Sequence, residues 1–374
     1  MPVRVISKKT STFHDFPYSS PERKCFHCWV INITPPGPAH CLHQCVYCYA
    51  REAVYSDYSE GPVVYGNLPE LVERDLRRMS LCPPVSLSNV SDPCQDIREV
   101  RVQTAALVSL LVEYGISFVV TTKGDARFLL EIPGFAAFPR KSVAVTVEGT
   151  AEMLARLSPQ APVFTDRIES VAELSRCGVH TVVRLDPAFP HLFFALYGAR
   201  WLDKVESLMD TFATAGARHI VVSTGRLRKA RQDPSSYHAG SWDAVRNIIK
   251  SLSPEAAIRF EEEYNYTSYW AGGGYMLRHD LRMAFHRRLR RMAEVRGMSY
   301  ASCQELSAGE SDTPGIPNCE GMAFPFVARG ADGRFCPVAG CTANCHVACA
   351  GLARPPCGRK TLVSPRPVRL SALR

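Results

Sequence analysis

The sequence predicts an α/β protein, a partial (β/α)6 barrel of the TIM type with a cysteine-rich C-terminal appendage. Between about residues 29 and 224, short β-branched runs alternate with amphipathic stretches, a pattern typical of a parallel sheet with helices packed outside. Beyond Gly297 this periodicity stops, and Gly, Pro and Cys become frequent. Six strand–helix units are too few for a closed eight-stranded barrel, so we expect a partial barrel or an open doubly wound sheet.

The individual elements follow from these patterns. The predicted strands are Trp29–Thr34, Val85–Ser88, Phe118–Thr122, Val143–Val147, Thr181–Leu185 and His219–Ser223. The predicted helices are Leu68–Met79, Val100–Glu113, Ala126–Glu131, Ala151–Arg156, Ile168–Arg176, Leu202–Ala213, Trp242–Leu252 and Met276–Arg296. In either type of sheet the chemistry is expected at the C-terminal ends of the strands. No glycine-rich dinucleotide fingerprint follows the first strand, where prolines and cysteines stand instead.

Composition and patterning divide the 374 residues into four regions. We expect an N-terminal segment at 1–28, the barrel at 29–240, a helical and basic segment at 241–302, and a cysteine-rich domain with a basic tail at 303–374. The N-terminus lacks the apolar h-region of a signal peptide. No apolar run reaches the roughly 18 residues that span a bilayer. We therefore expect a cytoplasmic protein without a membrane partner.

The 15 cysteines are the most unusual feature of the composition. Five lie between positions 25 and 48, and seven lie between 303 and 357. The cytoplasm keeps thiols reduced, and an odd count fits poorly with a fully paired disulfide framework. The clustered cysteines therefore indicate metal or cluster ligation.

Cys41, Cys45 and Cys48 directly follow the first predicted strand, with spacings of three and two residues. Three thiolates on one tight loop can bind three irons of a [4Fe–4S] cube and leave the fourth iron open for a chelating ligand. The alternative is a zinc site completed by a neighbour such as His40 or His43.

The segment CLHQCVYCYAR resembles the CxxxCxxC signature of radical S-adenosylmethionine (SAM) enzymes, and its wider context resembles their spore photoproduct lyase group. The resemblance extends over roughly residues 30–225. It implies that Cys41, Cys45 and Cys48 hold the catalytic [4Fe–4S] cluster and that Tyr47 packs near the SAM adenine. It also implies reductive cleavage of SAM to a 5′-deoxyadenosyl radical that abstracts hydrogen from a substrate, with an electron donor such as a ferredoxin or flavodoxin.

The same resemblance implies further SAM contacts after successive strands. By position these residues are Ser91, Asp92, Lys123, Thr146, Glu148 and Arg184, with Thr122 and Asp186 beside them. Lys123 would bind the SAM carboxylate. Each has a purely structural alternative, such as a helix cap for Asp92.

Two features depart from the lyases. Asn89 stands where they carry a hydrogen-donor cysteine, so DNA repair is not expected. The C-terminal stretch CEGMAFPFVARGADGRFCPVAGC resembles the SPASM or twitch appendages of other radical SAM enzymes. This second resemblance implies an auxiliary [4Fe–4S] cluster whose candidate ligands are Cys303, Cys319, Cys336, Cys341, Cys345, Cys349 and Cys357. A zinc knuckle is the alternative. Cys25 and Cys28 remain open between these centres and a separate zinc site.

The net charge of +8 permits an acidic partner without requiring one. The stretch Arg278–Gly297 holds seven arginines and indicates either a polyanion footprint or a solvated helix face. Tyr264, Tyr266, Tyr269 and Trp270 just upstream could stack bases or close the core. Three functions stay open: a radical SAM enzyme acting on a peptide or small molecule with an auxiliary cluster, one acting on nucleic acid, and a non-enzymatic zinc-binding protein.

Overall fold

The computed structural model describes residues 2–13, 29–52, 59–229, 240–267, 274–307, 309–363 and 369–374. Cys25, Cys28, Tyr269 and Trp270 lie outside the described residues. The strands are β1 (Arg4–Ile6), β2 (Trp29–Ile31), β3 (Val63–Tyr65), β4 (Leu81–Cys82), β5 (Val85–Leu87), β6 (Phe118–Thr122), β7 (Lys141–Thr146), β8 (His180–Leu185), β9 (His219–Val222), β10 (Tyr264–Thr267), β11 (Gly274–Leu277), β12 (Ser299–Ser302), β13 (Val327–Arg329) and β14 (Phe335–Pro337). The α-helices are α1 (Leu68–Leu76), α2 (Arg98–Tyr114), α3 (Ala151–Leu157), α4 (Phe164–Arg176), α5 (Pro190–Tyr197), α6 (Trp201–Thr214), α7 (Ser241–Leu252), α8 (Pro254–Glu263), α9 (His279–Glu294) and α10 (Cys345–Ala348).

The main sheet contains seven strands in the order β2-β5-β6-β7-β8-β9-β12. Every neighbouring pair in it is parallel. Each strand lies beside the strand that precedes it in this series, which is how a barrel winds; a doubly wound sheet reverses direction. The sheet ends at β2 and β12. The predicted fold class is confirmed, and all six predicted strands lie in this sheet.

The seventh strand was not predicted. β12 lies within the region expected to be helical and basic, and it pairs with β9. Its sequence, SYAS, has no β-branched run, so periodicity does not reveal it. The predicted helix at Met276–Arg296 begins only at His279, because its first residues belong to β11. The helices α5 and α8 were also missed; both begin with a proline in the first turn, where proline is favourable.

The C-terminal extension packs across the end of the barrel where the strands begin. β13 joins β14 and β4 in a small antiparallel sheet. Ser117, just before β6, donates a hydrogen bond to the Pro325 carbonyl at 3.1 Å. At the start of β9, His219 Nε2 lies 3.0 Å from the Cys319 carbonyl oxygen. The extension therefore covers the amino-terminal face of the sheet, opposite the face where chemistry is expected.

Gly115 shows how closely this extension approaches. It ends α2 with φ 75°, a left-handed conformation that favours glycine. A Cβ atom at this position would lie 2.6 Å from the Phe335 carbonyl oxygen of β14.

No helix in the described ranges is long and apolar enough to cross a bilayer.

Candidate active site

The cysteine loop follows β2 at the carboxyl-terminal edge of the sheet, as predicted. Gln44 holds it in a tight turn: its backbone is left-handed, with φ 49°, and its Nε2 donates to the carbonyl oxygens of Pro38 at 3.0 Å and Cys41 at 2.9 Å. The Cys48 N–H donates to the Cys45 carbonyl at 3.2 Å. These bonds fold the loop back on itself and place its three cysteines on one short turn.

Two contacts fix this loop against the barrel. The Leu42 N–H donates to Gln95 Oε1 at 2.7 Å, and the Val46 N–H donates to the Leu157 carbonyl at 2.9 Å. Gln95 is fully buried. The loop is therefore anchored both to the segment after β5 and to the end of α3.

The three thiols lie close enough to affect one another. Burial raises the pKa of Cys45 to about 11, with Glu148 and Cys48 adding to the rise and Lys123 opposing it. Burial also raises the pKa of Cys41, as do Asp92, Cys45 and Cys48. Such thiols stay protonated near neutral pH unless a metal centre displaces their protons.

The donor set therefore fits a group that binds thiolates. Among the described residues, no three His, Cys, Asp or Glu side chains converge closely enough to share one metal ion. A [4Fe–4S] cube takes each thiolate on a separate iron. Cys41, Cys45 and Cys48 would hold it.

Asp92 links the loop to the ends of β5 and β6. Its carboxylate accepts hydrogen bonds from Thr122 Oγ1 at 2.6 Å, the Lys123 N–H at 2.5 Å and the Cys94 N–H at 2.8 Å, and lies 3.1 Å from His43 Nε2. Burial opposes ionisation, but His43, Thr122 and the Lys123 N–H hold the pKa of Asp92 well below its usual range. Asp92 thus positions the strand ends, and its direct contact with SAM stays a prediction.

Ser91, the other predicted contact in this segment, is half-buried. Its hydroxyl lies 3.3 Å from the Ser88 hydroxyl. Asn89 is exposed, and its carbonyl accepts a hydrogen bond from the Tyr49 hydroxyl. These contacts keep the segment after β5 beside the cysteine loop.

Lys123 is the cation next to the cysteine loop. Its Nζ lies 5.5 Å from the centre of the Tyr47 ring, within cation–π range. Burial lowers the pKa of Lys123, but the negative charges of Cys45 and Glu148 raise it by more. The net effect is a pKa above the ordinary value of a lysine. Lys123 therefore stays positively charged at any physiological pH and could pair with the carboxylate of a bound ligand.

Glu148 joins Tyr47 to an arginine that the sequence did not reveal. The Tyr47 hydroxyl donates to Glu148 Oε1, and Arg167 Nη1 lies 2.6 Å from Glu148 Oε2. Both side chains of the ion pair are completely buried. Arg167 also donates to the Thr146 carbonyl at 3.0 Å and to Ser158 Oγ at 2.9 Å. An arginine in the first turn of an amphipathic helix normally indicates a solvated position, so no sequence signal identified it.

Arg184 lies within a charged group inside the barrel. Its guanidinium lies 2.6 Å from Glu320, 2.6 Å from Asp186 and 3.2 Å from Cys303 Sγ. Asp186 also accepts a hydrogen bond from Ser223. Arg184 thus connects β8 to the extension and is already paired with two carboxylates, while its SAM contact stays a prediction.

The structure separates the seven C-terminal cysteines. Cys345 and Cys349 lie one helical turn apart in and after α10, where the Cys349 N–H donates to the Cys345 carbonyl at 3.3 Å, and Cys341 Sγ accepts from the Phe326 and Ala343 N–H groups. Cys303 lies beside Arg184, and the Cys319 carbonyl contacts His219. Cys336 is exposed on β14 and lines the same surface groove as Arg140.

Comparison with known proteins bears on the class of protein. No family model matches the chain. A curated relative from Pseudomonas phage M6, named "Radical SAM Nalpha-GlyT isomerase", is 24% identical over 388 residues, covering 95% of this chain and 73% of the relative. A solved structure of a cysteine-to-serine mutant of spore photoproduct lyase matches with a TM-score of 0.53 and 17% identity, over 80% of this chain and 81% of the lyase. A cysteine-to-alanine mutant of the lyase with dinucleoside spore photoproduct gives 0.54 and 16%, over 80% of each chain.

These findings confirm the resemblance predicted from the cysteine loop: the chain is similar over most of its length to a relative that is named a radical SAM enzyme, and its fold is similar to that of spore photoproduct lyase. The likeness of residues 303–374 to SPASM or twitch appendages, and the auxiliary cluster that it implies, stay predictions.

Proposed function

We propose that this enzyme binds SAM at a [4Fe–4S] cluster held by Cys41, Cys45 and Cys48 and abstracts a hydrogen atom from a substrate at the carboxyl-terminal face of the barrel. When bound, the cluster and SAM together supply an electron and a 5′-deoxyadenosyl radical. The observation that carries this proposal is the position of Lys123, a charged side chain whose Nζ lies 5.5 Å from the ring of Tyr47, a residue of the cysteine loop.

In this proposal the chain's own residues bind and orient SAM and exclude water from the site. Lys123 would neutralise the SAM carboxylate, and Tyr47, fixed by its hydrogen bond to Glu148, would pack beside the adenine. Asp92 keeps the backbone around Lys123 in place. The Glu148–Arg167 pair behind Tyr47 is completely buried, so this side of the proposed site would exclude water, which protects a reactive species from stray hydrogen donors.

The proposed reaction at the substrate is a hydrogen abstraction without net oxidation, as in an isomerisation. Its support is the curated relative, which is named an isomerase and spans nearly the whole chain. Such a reaction needs no electron acceptor near the substrate. This differs from the sequence-based expectation of a peptide or small-molecule reaction that is aided by an auxiliary cluster. The external electron donor, such as a ferredoxin or flavodoxin, remains part of the proposal.

Nucleic acid is the substrate class that we propose over a peptide or small molecule. Arg287, Arg288 and Arg291 are exposed on one helix, α9, and no hydrogen bond or ion pair within the described ranges engages their side chains. The other arginines of α9 and its flanks are held locally, as Arg290 is by Glu294 and Arg296 by Asp210. The lyase structure with a bound dinucleoside lesion adds support from the shared fold.

A Lys123→Met variant tests the proposed SAM site. Anaerobically purified, reduced wild-type protein is expected to form 5′-deoxyadenosine and methionine. The variant should bind SAM roughly 10- to 100-fold more weakly, since a hydrogen bond to a charged group contributes about 1.5–3 kcal/mol. Thermal stabilisation by SAM and the affinity from equilibrium dialysis measure this directly. Lys250→Met, on the exposed face of α7, is the matched control. Equal SAM affinity in all three proteins would exclude Lys123 from the site.

An Arg287→Glu/Arg288→Glu variant tests the substrate class. Binding of a single-stranded DNA oligonucleotide to the wild type should weaken with salt. The variant should bind less tightly and lose about 0.7 of the log–log salt slope per arginine that contacts a phosphate. A Lys204→Glu/Lys250→Glu variant, with two exposed lysines outside α9, changes the net charge by the same amount and is the control. If the wild type shows no measurable binding of the oligonucleotide, nucleic acid is rejected as the substrate class. A peptide or small molecule would then be the substrate to test.

A further inference from the structure

We propose that Glu320 is a positioning residue, which the C-terminal extension places inside the barrel, where it holds Arg184 and, through it, Asp186. Residues 303–374 thus contribute to the proposed site from the opposite end of the barrel. This role rests on the proposed function, because its readout is the binding of SAM. It requires no metal in the extension.

A tight turn brings Glu320 to the end of the barrel where the strands begin. Asn318 shapes this turn: its Oδ1 accepts from the Glu320 N–H at 2.9 Å, and its Nδ2 donates to the Met322 carbonyl at 2.7 Å. Gly321 is left-handed, with φ 69°, and a Cβ atom there would lie 2.5 Å from the His219 ring. The turn therefore packs directly against the start of β9, and glycine permits this close approach.

The alternation of side chains along β8 and β9 identifies the face of the sheet that this turn meets. Successive side chains of a strand point to opposite faces, so His180 and Arg184 share one face of β8. For the same reason His219 shares a face with Ser223, just beyond β9. His180 Nε2 lies 3.3 Å from the Glu320 carbonyl oxygen, and His219 Nε2 lies 3.0 Å from the preceding carbonyl oxygen of the turn. The extension therefore contacts this face where the strands begin, while Arg184 and Ser223 lie toward the carboxyl end.

The Glu320 side chain reaches Arg184 on this face. Glu320 Oε1 lies 2.6 Å from Arg184 Nη1, and the two side chains are only 9% and 11% exposed. With its other terminal nitrogen, Nη2, Arg184 lies 2.6 Å from Asp186 Oδ2. The Ser223 hydroxyl donates to the same carboxylate. One guanidinium thus joins a carboxylate of the extension to a carboxylate that follows β8.

This bridge depends on the shape of an arginine. A guanidinium presents its N–H donors in a rigid fork, so a partner that fixes one nitrogen also fixes the direction of the others. Without Glu320, the fork can turn about its remaining contacts, and Asp186 loses a fixed partner. Asp186 follows β8 at the carboxyl-terminal edge of the sheet, the same edge at which the cysteine loop follows β2 and Lys123 follows β6. A change at Glu320 is therefore expected to affect ligand binding at that edge.

The SAM affinity of matched variants, measured by equilibrium dialysis, tests this role. Glu320→Gln should bind SAM roughly 2- to 30-fold more weakly than the wild type, the range for a residue that acts through another. Arg184→Lys keeps the positive charge but not the fork, and should show a loss of similar size. The double variant Glu320→Gln/Arg184→Lys should bind no more weakly than Arg184→Lys alone, because both changes break the same connection.

Glu310→Gln is the matched control. Glu310 belongs to the same extension, and its carboxylate accepts from the Ser307 N–H, away from Arg184. This variant should bind SAM as the wild type does. If Glu320→Gln does not fold, Asn318→Ala takes its place, since it loosens the turn and leaves the charges of Glu320 and Arg184 present. It should weaken SAM binding in the same direction.

Two results would overturn the positioning role. If Glu320 only fastens the extension, its variant should melt at a lower temperature without SAM and still bind SAM as the wild type does. If the losses of Glu320→Gln and Arg184→Lys add in the double variant, the two residues act independently. A wild type that binds no SAM refutes the proposed function itself, whereas SAM binding that none of these variants weakens refutes Glu320 alone.

Discussion

A Cys45→Ala variant is expected to lose the barrel cluster and all formation of 5′-deoxyadenosine. Cys45 is 8% exposed and is the cysteine of the loop on which Lys123 acts. With two thiolates left, the cube lacks the third protein ligand that fixes its open iron toward SAM. Iron and acid-labile sulfide should fall by about four each per chain relative to the wild type.

Cys177→Ala is the control for this change. Cys177 is an exposed cysteine at the end of α4, and no predicted centre includes it. This control should match the wild type in iron, sulfide and SAM cleavage. If Cys45→Ala kept its full iron content and its activity, the three-cysteine loop would not hold the cluster.

The barrel was predictable from sequence because its strands are buried and β-branched. All six residues of β7 are buried, and such a run has a clear signal. The strand β12 has only four residues with polar ends, so its identity depends on pairing with β9 and not on its own composition. Tertiary contacts determine the secondary structure of such a segment, and the pattern of a single sequence carries no information about those contacts.

The candidate site likewise contains some residues that sequence patterns could identify and others that they could not. Cys41, Cys45 and Cys48 could be identified because their spacing is itself a geometric constraint on one loop. Arg167 could not, because its burial follows from the position of α4 against β7, 19 residues from its partner Glu148. Likewise, the sequence groups seven C-terminal cysteines by proximity along the chain, whereas packing leaves Cys336 exposed and places Cys303 beside Arg184.

Arg167→Met is expected to destabilise the protein by about 3–5 kcal/mol, the range for breaking a buried ion pair by removing one partner. Arg167 and Glu148 are both completely buried. Without the guanidinium, the Glu148 carboxylate keeps the Tyr47 hydroxyl and the charge of Lys123 but loses its direct ion pair, so it bears most of the desolvation cost of a buried charge. Arg167 holds the pKa of Glu148 below its ordinary value against burial, so in the variant this pKa should rise and the carboxyl should take up a proton more readily.

Two further variants separate the charge effect from the loss of packing. Glu148→Gln/Arg167→Met removes both charges and should recover part of the stability, because no buried ion is left unpaired. Arg200→Met breaks an exposed pair with Asp203, whose side chains are 85% and 61% exposed, and should cost at most about 1 kcal/mol. Urea unfolding of the anaerobic proteins, followed by circular dichroism, measures all three. If Arg167→Met cost no more than Arg200→Met, the pair would not be the buried support of Tyr47 and the cysteine loop that its geometry indicates.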